Sequence, residues 1–163
     1  MEIQYLKKYF HVKDTLKNYP TNKWNPEGLS LKDIENLEHI LNEGSSFPRA
    51  FREFLHIGGK YDGLGINGPI DGLYDRMTKG GKLRIQGRGI QIHRPFLTYH
   101  SFEGNVFSFI YLDEGDDPQP WNISIDEAYD TDEGENLWKT PFTIFNEMIH
   151  YLVDNALKGL QPW

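Results

Sequence analysis

Residues 96–112 read Phe-Leu-Thr-Tyr-His-Ser-Phe-Glu-Gly-Asn-Val-Phe-Ser-Phe-Ile-Tyr-Leu, two apolar runs separated by Glu103-Gly104-Asn105. Short runs rich in aromatic and β-branched residues on either side of a glycine-containing triplet predict a hairpin with a three-residue loop. Apart from Ser108, Val106–Leu112 is apolar on both faces, so it belongs in the middle of a sheet. Downstream, Trp121, Ile123 and Ile125 alternate with Asn122, Ser124 and Asp126, the pattern of a strand with one wet face.

Helical patterns flank this region on both sides. Ile3, Leu6, Phe10 and Leu16 share a stripe over residues 2–17, with Pro20 as the stop. Ser30 can cap a second helix carrying Leu31, Ile34, Leu37, Ile40 and Leu41, which Gly44 ends. Pro48 suits the first turn of a short third helix with Phe51, Phe54 and Leu55 inward, and Gly58 and Gly59 are expected to close it in the left-handed region. Residues 60–89 are rich in glycine and read as irregular, with strand pieces near Leu83–Ile85 and, just beyond, Ile90–His93. Thr140-Pro141 reads as the cap and first residue of a last helix with Phe142, Phe145, Ile149, Leu152 and Ala156 on one stripe, ended by Gly159. Helices, then strands, then a helix describe an α+β fold: one domain over residues 1–163, its antiparallel sheet packed against N-terminal helices and a closing C-terminal helix.

Composition narrows the function classes. The 163 residues contain no cysteine, which removes disulfides, thiolate metal sites and a cysteine nucleophile. There is no signal-peptide-like run and no long apolar span, so a soluble cytoplasmic protein with no membrane association is expected. The net charge of −7 is unevenly placed: residues 1–112 carry 15 basic and 12 acidic groups, whereas residues 113–135 carry 10 acids and no base. A run of opposite sign, Arg76 to Phe102, holds six basic residues and no acid. The two runs either face each other within the fold or are solvated, or the acidic one steers a cationic partner.

Catalytic and cofactor motifs fail on context. Gly63-Leu64-Gly65-Ile66-Asn67-Gly68 matches a dinucleotide fingerprint by letter, but no strand precedes it and no helix pattern follows. Gly59-Lys60 and Gly81-Lys82 lack the rest of a P-loop. The six histidines form no HExxH and no i, i+3 or i, i+4 pair, and His93 and His100 have opposite strand parity, so no metal site is expected. No Gly-x-Ser-x-Gly elbow exists, and no cofactor is implied. Two of the ten acids could meet as an acid/base pair, yet carboxylates in a loop-rich segment are ordinarily solvated. A sequence pI near 5.3 argues against nucleic acid despite the basic run.

The block Asp33-Ile34-Glu35-x-Leu37-Glu38, followed by Phe47-Pro48-x-x-Phe51-x-x-Phe54-Leu55-x-x-Gly58-Gly59, resembles the SUKH superfamily of fungal cell-wall-synthesis regulators and bacterial toxin-immunity proteins. Phe107–Leu112 is similar to that family's apolar strand, Asp117-Pro118-Gln119-Pro120-Trp121 to its turn into the next strand, and Thr140–Leu157 to its closing helix; the likeness spans roughly residues 28–157. Phe47 stands where the family usually has Leu, the Asn common before the glycine pair is missing, and the 60–89 stretch is long. The resemblance implies a non-enzymatic protein-binding module, an immunity protein neutralising a cognate toxin, which could be a nuclease. The charge pattern suits such a cationic partner independently. The expected contact residues are Asp113, Glu114, Asp116, Asp117, Trp121, Asp126, Glu127, Tyr129, Asp130 and Asp132, with Trp138 as a further aromatic anchor, on a monomer or weak dimer. An intracellular regulator or scaffold of the same family, and a carboxylate-dependent hydrolase, remain as alternatives.

Overall fold

A computed structural model describes residues 1–16, 25–66, 80–126 and 136–160. Its helices are α1 (Lys7–Val12, continued by a 3-10 turn at Lys13–Thr15), α2 (Leu31–Leu41), α3 (Arg49–Gly58), α4 (Gly81–Gly87) and α5 (Phe145–Leu157). The strands β1 (Phe96–Phe102), β2 (Val106–Tyr111), β3 (Pro120–Ser124) and β4 (Leu137–Lys139) form one antiparallel sheet in sequence order. The fold is therefore α+β. No helix among the described residues is long and apolar enough to cross a membrane.

Strand alternation sends the side chains of β1 and β2 into two cores, one on each face of the sheet. The paired Leu97 and Ile110, with Tyr99, face α1, α2, α3 and α5 and join a cluster that includes Phe51, Phe54 and Phe145. In it the Phe145 ring meets Phe51, Phe54 and Tyr99 edge-on at 5.6, 5.8 and 5.5 Å, the geometry that aromatic quadrupoles favour. The opposite face carries Phe96, Phe107, Phe109 and Ile123 beneath Ile85 of α4. The β1–β2 turn falls on Glu103-Gly104-Asn105 as expected, with Glu103 and Gly104 at φ 48° and 78°. A bulge between Thr98 and His100 breaks the β1 register.

Several elements differ from the sequence reading. Residues 83–85 lie in α4 rather than a strand, and residues 90–93 pair with nothing in the sheet. Gly81 supplies the reason: a Cβ there would stand 2.3 Å from Thr98 Oγ1, so glycine lets the helix lie against β1 and bury Ile85. Gly58 and Gly59 are not left-handed; Gly58 ends α3 and Gly59 continues it at φ −66°. Their requirement is close approach, because a Cβ on Gly58 would meet the Tyr9 hydroxyl at 2.2 Å. The first helix is shorter than its stripe, beginning after Leu6. The last begins at Phe145, since Thr140 donates its hydroxyl to the Pro120 carbonyl instead of capping. Strand β4, three residues long, shows no period in the sequence. Pro20 lies outside the described residues.

Buried carboxylates stitch these elements together. Glu53 on α3, fully buried, accepts the N–H groups of Gln4, Tyr5 and Leu6 at 2.8–2.9 Å and pairs with Arg49. It thus satisfies donors at the start of α1 that the helix itself cannot. Glu38 accepts the Phe47 N–H at 2.7 Å and lies 2.9 Å from Arg52. Asp117 accepts the Asn146 N–H at 2.9 Å, while the carbonyls of Asp116 and Pro118 accept from Ala50 and Phe145. Residues 116–118 therefore bind the first turns of α3 and α5.

Candidate functional site

The structure divides the acidic segment. Asp113 and Glu114 follow β2 and are held by Arg94: its Nη2 lies 2.6 Å from Asp113 and its Nη1 3.0 Å from Glu114. The same guanidinium stacks 3.9 Å above the Tyr111 ring. Hydrogen bonding to Arg94 holds the Asp113 carboxyl below its usual range. Here the basic and acidic runs do face each other. Asp116 contributes its carbonyl to α3, and Asp117 is half-buried at the start of α5, where burial pushes its carboxyl up against the opposing pull of two backbone N–H groups.

Asp126 sits at the other end of the sheet. There Ile125 donates to the Asn105 carbonyl of the β1–β2 turn, and the Asp126 N–H donates to Ser124 Oγ. With about 3.3 Å of rise per residue, the five residues of β3 separate the two acidic groups by roughly 17 Å. Glu127, Tyr129, Asp130 and Asp132 lie outside the described residues. Trp121 projects onto the α4 face, where its ring contacts Tyr111 at 5.7 Å, Lys139 lies 5.3 Å from its centroid, and its buried Nε1 finds no acceptor among the described residues. Trp138 lies on the other face, paired with Asn122 and 40% exposed.

On that other face a cleft of about 410 Å³ opens between the sheet and α5. Its floor is a polar row crossing all four strands. With the Asn122 amide oxygen toward the indole, Trp138 Nε1 donates to Asn122 at 3.3 Å, and the amide nitrogen donates to Ser108 Oγ at 2.8 Å. Ser108 hydrogen bonds to the Tyr99 hydroxyl, which donates to Met148 Sδ at 3.4 Å. Burial pushes the Tyr99 phenol far above its ordinary range, so it stays protonated. The walls are Phe102, Pro141, Phe142, Met148 and Tyr151, with the Phe142 and Tyr151 rings 5.3 Å apart. Among the described residues no carboxylate, histidine, lysine or arginine lines this cleft.

A second hollow, of about 520 Å³, lies between the end of α2 and α4 and holds Lys82, His93 and Arg94. It is the larger, but Arg94 is already engaged by Asp113 and Glu114, and Lys82 lies 5.7 Å from the Phe96 ring centroid. Among the described residues no three His, Asp or Glu side chains gather as a metal site.

Of the floor row, only Trp138 is among the contact residues the sequence suggests; the residues that line the cleft carry no motif. The available signals were slight: Ser108 as the one polar residue of an apolar strand and Asn122 on the wet face of the next, which the register places side by side. Comparison with protein-family models, curated proteins and solved structures finds no match.

Proposed function

We propose that this chain is a non-enzymatic protein-binding module, acting as an immunity protein that covers a cationic toxin such as a nuclease. The observation that carries this reading is the chemistry of the concave site: a cleft walled by aromatic rings and floored by already bonded polar groups, with no carboxylate, histidine, lysine or arginine among the described residues that line it. The buried Glu53 and Glu38 and the half-buried Asp117 accept backbone N–H groups. A site of this kind seats a partner better than it moves a proton. The resemblance to the SUKH superfamily and the 10 acids of residues 113–135 support the same reading. A negative surface accelerates encounter with a protein built to bind phosphate.

The test is co-expression with the product of the neighbouring reading frame. A stoichiometric complex and loss of that product's toxicity are expected. Reversal of Asp126, Glu127 and Asp130 should slow association and weaken its salt dependence. Growth defects on deleting the gene from a toxin-free strain, with no complex formed, would favour a housekeeping regulator instead.

A further inference from the structure

We propose that the cleft between the sheet and α5 seats one uncharged aromatic side chain of the partner, flanked in that partner by basic residues. This rests on the protein-binding reading and names what the partner must present. Size comes first: about 410 Å³ holds a phenol or indole with the backbone carrying it, and lies in the range of built ligand pockets. The walls come next. Phe142 and Tyr151 are inclined at 48° to each other, and with Phe102 and the Met148 thioether they offer ring faces, edges and sulfur to an inserted ring.

The floor explains why the occupant carries no charge. From Trp138 through Asn122 and Ser108 to Tyr99 and Met148, each donor already has its acceptor. A ring laid on this row strands no polar group, whereas a lysine or glutamate head would lose its water and find no counter-ion in the lining. The surroundings determine the flanks. Glu147 precedes the lining Tyr151 by four residues, one turn along the same face of α5, and is exposed. Lys139, adjoining Thr140, lies over Trp121 on the opposite face. The charge one helical turn from the lining Tyr151 is thus acidic and complements a basic residue beside the ring. Tyr151 and Trp138, 50% and 40% exposed, stand ready to be covered.

The experiment is an NMR titration of the full chain with three capped tripeptides, Lys-Tyr-Lys, Lys-Ala-Lys and Glu-Tyr-Glu, repeated on Tyr151→Ala. Lys-Tyr-Lys should saturate in the millimolar range and shift the backbone amides of Ser108, Asn122, Thr140 and Tyr151. Lys-Ala-Lys, Glu-Tyr-Glu and the Tyr151→Ala protein should each bind about tenfold more weakly, the loss of one good contact. Equal binding of Lys-Ala-Lys, shifts located elsewhere, or no saturation by any peptide would overturn the proposal. Equal binding of Glu-Tyr-Glu would overturn the basic flanks. None of these results touches the protein-binding reading, which complex formation with the toxin decides.

Discussion

Glu53 and Asp117 are both carboxylates that cap another element's backbone, yet their titrations run in opposite directions. Burial alone would push Glu53 up, but three backbone N–H groups and Arg49 outweigh it and hold the group below its usual range. Its stabilising share is therefore present above the unfolded value of about 4.3 and is lost as the pH falls through the lower folded value. Glu53→Gln should lose about 3 kcal/mol in urea denaturation at neutral pH, because Arg49 is left beside a neutral amide, and the loss should shrink in acid. Asp117 is raised by burial, so its share is present below the unfolded value and is lost as the pH rises through the folded one. Asp117→Asn keeps an acceptor for Asn146 and should stay within about 1 kcal/mol of wild type at neutral pH, whereas Asp117→Ala should cost about 1–2 kcal/mol. Gly58→Ala pits helix propensity, a gain of about 1 kcal/mol, against the Tyr9 hydroxyl, which donates to the Asp62 carbonyl at 2.6 Å. We expect a net loss of about 2 kcal/mol. A double cycle with Tyr9→Phe should be non-additive, since the phenylalanine removes the atom that clashes.

At the scale of elements, α2, α3, the 96–111 hairpin, β3 and α5 were legible because each has its own period and punctuation: Ser30 at its cap, Pro48 before Arg49, Gly104 in the turn, Gly159 at the stop. Helix α4 was not legible because what holds it is tertiary. Two of its seven residues are glycines, and it forms because Gly81 lies on Thr98 while Ile85 enters the second core. Gly81→Ala should separate α4 from the sheet. Faster hydrogen exchange at residues 83–87 together with unchanged exchange in α3 would bear this out; uniform exchange across the chain would refute it. Strand β4 spans three residues, too few to display a period, and exists through its register with β3. Arg94, by contrast, is a solvent-exposed latch, and Arg94→Ala should cost about 1 kcal/mol or less, diminishing further in salt.

Across the whole molecule, the sequence locates the negative charge but not its division. Only the fold separates Asp113 and Glu114, paired with Arg94, from Asp126 at the opposite end of β3. The cleft was equally hidden, because Tyr99, Ser108, Asn122 and Trp138 are distant in sequence and become one row only through strand register. The proposed function has this surface bind a cationic protein and perform no chemistry of its own. Its most direct test is a binding isotherm between the chain and the product of the neighbouring reading frame, measured over a series of salt concentrations. The account predicts a one-to-one complex whose association slows as salt rises and in which toxicity is abolished; absence of a complex at micromolar concentration in low salt would contradict it.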